Sequence, residues 1–289
     1  MAKLANLRTL CTNADIRNEY LRWKLSKLVT GNPPSLPLPH RRRLFPADRF
    51  NDYHSIARQR PDEAEFLLFR SLLGKGGVFV DVGANVGAVS VLAASTGLVS
   101  QIIAFEPSHR YCSAWHRNMD FNHVAGATLI QAAASDVTGE ATFRADPAMP
   151  LHGRFDVGAL YATNRIMRVS TVTLDDACDM LGIGRIALLK IDVEGAEPKV
   201  LRGARRLLEE GRVDAIVLEL IVEHMEDMGD DPQVMVDDLV RAGFHIHEIL
   251  PSGEVGAALD PRCVIETRRS PPGARERPFW GINVVARKH

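Results

Sequence analysis

From residue 78 onward, short apolar runs alternate with longer segments in which apolar residues recur every three or four positions. The short runs predict buried strands and the longer segments predict helices. The predicted strands are residues 78–82, 101–106, 127–132, 186–191, 215–220, 245–249 and 280–287. The predicted helices are residues 86–97, 108–121, 174–181, 197–210 and 232–242. This alternation indicates an α/β fold, in which helices cover both faces of a mostly parallel sheet.

Two segments interrupt the alternation. In residues 139–173, "GEATFRA" and "RVSTVTL" predict short extra strands with an irregular loop between them. Residues 251–279 are rich in Gly, Pro and Arg and predict a second long loop. Long loops in a compact domain are usually functional or disordered. We therefore expect the loops at 146–168 and 251–279 to cover a bound substrate.

The N-terminal part of the chain has a different pattern. Residues 1–30 predict a helix, and "GNPPSLPLPHRRRLFP" after it predicts a solvated linker, with a patch for anionic lipid or polysaccharide as the alternative. A new helix is predicted from Pro61. The chain is therefore expected to divide into a helical extension with a Pro/Arg-rich linker, residues 1–60, and a main domain, residues 61–289.

Composition narrows the range of partners and compartments. The chain has 35 Lys plus Arg and 36 Asp plus Glu, which gives no reason to expect a nucleic acid as partner. The four widely separated cysteines predict free thiols in a reducing compartment, and hence a cytoplasmic protein. No signal-peptide pattern and no transmembrane stretch is expected. The sequence does not predict an oligomeric state.

The clearest chemical signal is "FVDVGANVGAVSVLAA", residues 79–94. A strand ends near Asp81, a turn runs from Gly83 to Gly87, and a helix follows. Glycines let a ligand approach the backbone, and the helix start offers unpaired N–H groups. Glu106 ends the next strand, where a carboxylate accepts hydrogen bonds from ribose hydroxyls. The arrangement predicts a nucleoside-type site at the carboxyl edge of the sheet.

The turn discriminates between nucleoside ligands. Gly83 and Gly87 give the spacing G-x-x-x-G, whereas dinucleotide folds expect G-x-G-x-x-G, and no Walker pattern is present. The carboxylate of Asp81 suits a ligand that carries an ammonium group. S-adenosylmethionine contains both a nucleoside and an ammonium group, while a dinucleotide ligand and a purely structural turn remain alternatives.

Five segments carry a resemblance to a known family: "FVDVGANVG", "IIAFEPS", "RVSTVTLDD", "LLKIDVEGAEPKVLRGA" and "IVLEL". In this order they resemble the FkbM family of S-adenosylmethionine-dependent methyltransferases, over roughly residues 75–288. "KIDVEGAE" is the most specific part, and residues 1–60 lie outside the resemblance. The family implies a class I methyltransferase (Rossmann-like) sheet with seven strands, of which the last, "WGINVVAR", is antiparallel.

The resemblance also implies roles for particular residues. Its cofactor-binding residues are Asp81, Gly83, Ala84, Asn85, Gly87, Glu106, Pro107, Ser135 and Asp136. Glu106 would hold the ribose and Asp136 the adenine amino group, whereas Asp192 and Glu194 would face the donor methyl group and the acceptor. Simpler alternatives are that Asp136 opens a turn, that Asp192 or Glu194 caps a helix, and that Glu106 is an acid at a helix start.

Methyl transfer to a hydroxyl needs positioning and proton removal. Asp192 is the first candidate base and Glu194 the second. His224 is the third, since histidine suits proton transfer near neutral pH, although a surface position on an acidic helix is the alternative. No metal is predicted; the alternative is a hard divalent cation shared by Asp192 and Glu219.

The sequence thus predicts an S-adenosylmethionine-dependent O-methyltransferase whose acceptor is a small molecule or glycan: a hydroxyl of a sugar or of a secondary metabolite. Arg154, Arg165 and Arg168 are expected to meet acidic groups of the acceptor or to be solvated. The alternatives are an NAD- or nucleotide-sugar-dependent oxidoreductase, a non-catalytic module that retains the fold, and a methyltransferase of protein or nucleic acid.

Overall fold

The computed structural model describes residues 14–46, 50–145, 153–155, 165–269 and 283–288. Its helices are α1 (Ala14–Thr30), α2 (Phe50–Gln59), α3 (Glu63–Leu73), α4 (Ala88–Ser95), α5 (His109–Phe121), α6 (Leu174–Leu181), α7 (Glu197–Arg202), α8 (Arg205–Glu209), α9 (Val222–Asp227), α10 (Pro232–Arg241) and α11 (Val264–Arg268). Its strands are β1 (Leu36–Pro37), β2 (Arg43–Leu44), β3 (Gly77–Val82), β4 (Val99–Phe105), β5 (Ala127–Ile130), β6 (Ala133–Ala134), β7 (Gly139–Ala145), β8 (Gly153–Phe155), β9 (Arg165–Val172), β10 (Ile186–Ile191), β11 (Val213–Glu219), β12 (His245–Ile249), β13 (Val255–Ala258) and β14 (Asn283–Arg287).

The central sheet has the strand order β13-β12-β14-β11-β10-β3-β4-β5. Strands β5, β4, β3, β10 and β11 pair in parallel, whereas β14 lies antiparallel between β11 and β12. This confirms the predicted mostly parallel sheet with an antiparallel last strand. The chain proceeds outward from β3 to β5 and then returns to place β10 on the other side of β3. The switch point, where ligands bind in such sheets, therefore lies between β3 and β10.

The sheet has an eighth strand that the sequence did not predict. Strand β13 pairs antiparallel with β12, and α11 follows it, so part of the predicted loop at 251–279 is regular structure. The two strands are joined by a tight turn in which Gly253 has φ +84°. The sequence of β13 is only "VGAA", which is too short and too poor in large apolar residues to give a strand signal.

A second, four-stranded sheet has the order β6-β9-β7-β8. Strand β7 pairs antiparallel with β9, from Gly139 opposite Thr171 to Ala145 opposite Arg165, which confirms the extra strands predicted in this region. The loop predicted at 146–168 is shorter than expected, because β9 begins at Arg165. The predicted strand at 127–132 is also divided: β5 stays in the central sheet, while β6 pairs with β9. Residues 146–152 and 156–164 lie outside the described part.

The predicted helix at 197–210 is two short helices, α7 and α8, separated by Gly203 and Ala204. Gly203 lies so close to the loop after β6 that a Cβ atom there would be 2.0 Å from the Ser135 carbonyl oxygen. Glycine also has a low helix propensity, which favours the break in the helix at this position. Helix α9 was predicted only as the acidic helix on which His224 would lie. It follows β11 and carries His224.

Two apolar clusters cover the two faces of the central sheet, and every residue of β10 is buried. The segment at 31–46 joins one of them, since Leu36, Leu38 and Leu44 are buried. The expectation of a solvated linker is therefore wrong for these residues. The polar anchor is the side chain of Asn122, which accepts from the Arg43 N–H and donates to the Arg43 carbonyl oxygen. The division of the chain at residue 60 stays a prediction.

In the described part of the chain, no helix is both long enough and apolar enough to cross a bilayer. Three cysteines fall within these residues, Cys112 and Cys178 buried and Cys263 exposed, and each carries a free thiol. Cys11 lies outside the described residues.

Candidate active site

The turn after β3 joins the two strands at the switch point. Gly83 has φ +77°, and a Cβ atom at this position would lie 2.0 Å from the Asp192 carbonyl oxygen. Only glycine therefore allows the end of β3 to approach the end of β10 so closely. Asn85, with φ +49°, is a non-glycine residue in the left-handed region. The N–H groups of Gly83 and Ala84 both donate to the Phe105 carbonyl oxygen, which fixes the turn against β4.

A buried ion-pair network lies beneath this turn. Asp81 is fully buried and accepts a hydrogen bond of 2.6 Å from Ser90 Oγ. Lys190 Nζ lies 3.6 Å from Asp81 Oδ1 and 3.2 Å from Asp192 Oδ2, and it donates to the Gly83 carbonyl oxygen at 3.3 Å. The single lysine therefore holds β3, the turn and β10 together.

Protonation in this network follows from burial and charge. Burial raises the pKa of Asp81, while Lys190 and Ser90 oppose the shift. Burial alone would lower the pKa of Lys190, but Asp192 and Asp81 outweigh it and raise that pKa, so the ammonium group stays charged. Sequence analysis missed Lys190. The available signal was one lysine in the apolar run "IALLKI". A direct contact of Asp81 with a ligand stays a prediction.

Glu106 follows the carboxyl end of β4 and is largely buried. Its Oε2 accepts from the Asn85 N–H at 3.0 Å, and its Oε1 accepts from the Ser108 N–H at 2.8 Å. The bond from the Ser108 N–H is the one expected if Glu106 is simply an acid at a helix start. The bond from the Asn85 N–H connects the carboxylate to the glycine turn. Burial raises the pKa of Glu106 to about 7, against the effect of these two hydrogen bonds. Pro107, between Glu106 and Ser108, is half-buried.

The loop after β6 carries Ser135 and Asp136. Ser135 Oγ donates to Asp136 Oδ1 at 3.1 Å, and Arg202 donates to Asp136 Oδ2 at 3.0 Å. Arg202 also donates to Asp230 at 2.7 Å. The carboxylate of Asp136 is therefore anchored to α7, in agreement with a structural role in the loop. Its contact with adenine stays a prediction.

Three carboxylates meet where β10 and β11 end. Asp192, Glu194 and Glu219 each offer one oxygen, and these oxygens lie within 4.8 Å of one another. We call this group the acidic cluster. The side chain of Asp192 is 43% exposed and is the open member, whereas Glu219 is 8% exposed. Glu194 has φ +58°, an uncommon conformation for a residue with a side chain and one often found at functional sites.

His224 lies beside this cluster. Its Nδ1 is 3.3 Å from Glu194 Oε2, and its side chain is 23% exposed, unlike that of a surface residue. The contact depends on Gly195, which has φ +105° and at which a Cβ atom would lie 2.7 Å from the backbone of His224. The turn "DVEG" therefore packs directly on the start of α9. The structure brings together all three predicted catalytic residues and adds Glu219, the residue of the metal alternative.

Two further acids near the site were not predicted. Glu197 is fully buried, its Oε1 accepts from the Val193 N–H at 2.9 Å, and burial raises its pKa to about 8. Glu65 belongs to the capping box that opens α3, and burial raises its pKa to about 8 as well. Burial, followed by repulsion from neighbouring carboxylates, also raises the pKa of Glu219 well above its usual range. The site therefore carries an excess of acidic groups.

The strand order and this edge of the sheet define the protein as a class I methyltransferase fold. Residues 81–246, more than half of the chain, match the family described as "Methyltransferase FkbM domain". The chain belongs to the FkbM family of methyltransferases, and the resemblance drawn from its motifs is confirmed.

The curated relatives that the chain resembles are named as methyltransferases. The chain is 29% identical over 170 residues to Methyltransferase 1 of Beauveria bassiana (strain ARSEF 2860), covering 52% of this chain and 66% of that protein. It is 34% identical over 158 residues to the 31-O-demethyl-FK506 methyltransferase FkbM of Streptomyces tacrolimicus, covering 45% and 60%. The matched part thus spans roughly two thirds of these relatives or less.

Among solved structures, FkbM from Methylobacillus flagellatus KT aligns with a TM-score of 0.43 and 15% identity, covering 81% of this chain and 57% of that one. SMU.1697c, a putative methyltransferase from Streptococcus mutans solved with SAH, aligns with a TM-score of 0.44 and 10% identity, covering 80% and 98%.

Proposed function

We propose that the protein is an S-adenosylmethionine-dependent O-methyltransferase that acts on a hydroxyl of a sugar, a glycan or a secondary metabolite. One observation carries the proposal: the glycine turn held by Glu106 is in contact with the strand end that bears the acidic cluster. The closest approach is between Gly83 and the Asp192 carbonyl oxygen. A nucleoside-type site and candidate proton acceptors therefore share one edge of the sheet.

The residues at this edge fit the cofactor. Each oxygen of Glu106 accepts one backbone N–H and keeps a lone pair for a ribose hydroxyl. The excess of acidic groups suits a sulfonium cation, and Lys190 keeps the turn in place from below. When bound, S-adenosylmethionine supplies an activated methyl group, and its transfer to a hydroxyl releases one proton. The protein's task is to orient the acceptor and to take up that proton.

The acidic cluster supplies the proton acceptor. Asp192 is the first candidate, because its side chain is the most exposed of the three. The pair formed by Glu194 and His224 is the second, since a carboxylate beside an imidazole orients the ring. The sequence Asp-Val-Glu, residues 192–194 directly after β10, favours a hydroxyl acceptor over an amine.

The name of the Streptomyces relative supports O-methylation, since that protein is called a 31-O-demethyl-FK506 methyltransferase. A glycan hydroxyl and a metabolite hydroxyl are two acceptors of the same chemistry, and a screen with both classes distinguishes them. The free thiols of Cys112 and Cys178 support the further proposal of a cytoplasmic location.

Calorimetric titration with S-adenosylhomocysteine and, separately, with NAD tests the cofactor. We expect S-adenosylhomocysteine to bind, NAD not to bind, and Glu106→Ala to weaken binding by about 10- to 100-fold, the range expected when hydrogen bonds to a charged group are lost. The matched control is Glu209→Ala, an exposed acid at the end of α8, which should leave binding unchanged. NAD binding, or no binding of S-adenosylhomocysteine to folded protein, would refute the proposal.

A further inference from the structure

We propose that Asp192, Glu194 and Glu219 form a binding site for a hard divalent cation, Mg²⁺ or its substitute Mn²⁺. The inference deepens the proposed function, on which it rests, by giving the acceptor hydroxyl a cation to bind. It concerns the same edge of the sheet but adds a component that the family resemblance does not supply.

The geometry of the three carboxylates fits one ion. Hard divalent cations hold oxygen ligands at about 2.0–2.6 Å, so ligands of one ion lie at most about 4–5 Å apart. The three oxygens of the acidic cluster lie within 4.8 Å of one another. Asp192 directly follows β10, and Glu219 is the last residue of β11. These neighbouring strands are parallel and in register from Ile186 opposite Val213 to Ile191 opposite Leu218. The sheet therefore fixes the backbone positions of two of the three ligands, and Glu194 is supplied by the turn that follows β10.

Glu219 provides a second observation that points to a ligand. The residue is 8% exposed and its side chain contacts that of Asp192, but its Oε2 atom receives no hydrogen bond from any of the described residues. A buried carboxylate oxygen without a partner is costly, so such an atom calls for a cation or a donor close by. Lys190 does not meet this need alone, because its ammonium group is shared between Asp81 and Asp192.

A cation at this place changes the roles of the neighbouring residues. It would bind the acceptor hydroxyl oxygen, orient it, and make its proton easier to remove. Asp192 would then serve as a ligand, and the imidazole of His224, which lies beside Glu194, would be the side chain placed to take the proton from the hydroxyl oxygen. The open side of Asp192 leaves room for the acceptor oxygen and for water in the remaining coordination positions.

Manganese binding tests the inference without any measurement of activity. Protein treated with EDTA and desalted is titrated with MnCl₂, and free Mn²⁺ is followed by electron paramagnetic resonance, with and without S-adenosylhomocysteine. We expect one saturable site, displaced by Mg²⁺. Glu219→Gln should weaken Mn²⁺ binding about tenfold or more while leaving the affinity for S-adenosylhomocysteine unchanged. Asp192→Asn, at a more exposed position, serves as a second variant should the first fail to fold. The control is Asp227→Asn, an exposed acid on α9.

The outcomes separate this inference from the proposed function. If wild-type protein binds S-adenosylhomocysteine but takes up no Mn²⁺ at millimolar concentration, the cation site is refuted and the carboxylates hold a shared proton or a cationic part of a ligand. Unchanged Mn²⁺ binding in Glu219→Gln also refutes it. If Mn²⁺ binds and is lost in Glu219→Gln while S-adenosylhomocysteine does not bind, the cation site stands and the proposed methyl donor fails.

Discussion

The carboxylate of Glu106 should make cofactor binding depend on pH. Burial raises the pKa of Glu106 to about 7 in the free protein, so the group is mostly protonated at pH 6 and mostly ionised at pH 8. Ribose hydroxyls donate hydrogen bonds, and the ionised carboxylate accepts them best, so binding favours loss of the proton. Affinity should therefore fall as the pH is lowered through the pKa of Glu106.

The size of the effect follows from the fraction of protein in which Glu106 is ionised. With a pKa of about 7, the ionised fraction is roughly one in eleven at pH 6 and nine in ten at pH 8. The affinity for S-adenosylhomocysteine should therefore be about tenfold weaker at pH 6 than at pH 8. Binding at pH 6 should release about 0.9 proton, which calorimetry measures by repeating the titration in buffers of different ionisation enthalpy.

Other groups near Glu106 need a control. Lys190 and Asp81 are charged groups that act on the Glu106 carboxylate, and the Cys112 thiol donates to the Glu106 carbonyl oxygen. Burial raises the pKa of Cys112 to about 12, so this thiol stays neutral over the range tested. Glu106→Gln keeps the shape and removes the titration. Its affinity should not change between pH 6 and 8. An affinity of the wild-type protein that is flat over this range, or an equal slope in the variant, would refute the role assigned to this carboxylate.

Three further predictions concern other parts of the site. Asp192→Asn should slow methyl transfer about 10²- to 10⁴-fold in single-turnover assays while the affinity for S-adenosylhomocysteine stays within about twofold; an equal loss in both would contradict a role at the acceptor. Lys190→Met should lower the free energy of unfolding in urea by about 3–5 kcal/mol, because it leaves the fully buried carboxylate of Asp81 without its cation, whereas the exposed Lys75→Met should change it by less than about 0.5 kcal/mol. Gly195→Ala should destabilise the protein by about 2 kcal/mol more than Gly97→Ala. Both glycines have positive φ, but of the two only Gly195 has a neighbouring helix that an added Cβ atom would meet. Similar losses of stability in the two variants would contradict the packing described.

Sequence reasoning predicted the central sheet well because its strands are long, apolar and separated by amphipathic helices. Strands β3, β4, β10, β11 and β12 were predicted to within two residues at each end. The antiparallel orientation of the last strand was predicted from the family resemblance and not from periodicity. Strand β13 was missed because four small residues gain their conformation from pairing with β12 rather than from their own preference.

The site was predicted in part. The glycine turn, Glu106, Asp192 and Glu194 were singled out because their residue types and positions after strands carry a local signal, and the structure places them at one edge of the sheet; their roles stay predictions. Lys190 and Glu197 were missed because their importance comes from burial and from partners distant in sequence, which no local pattern reveals. The packing of residues 31–46 was missed for the same reason: Asn122, which anchors the segment, follows the end of α5, far along the chain.

The position of β14 has a consequence for how the protein folds. This strand is last in chain order, yet it lies between β11 and β12 and is the strand through which β12 and β13 join the sheet. The sheet therefore cannot be completed in the order in which the chain is synthesised. Until β14 arrives, one edge of β11 and one edge of β12 have no partner strand, and such edges pair readily with other chains. Insertion of β14 is then a late step of folding, and it covers the strand edges through which the chain could aggregate.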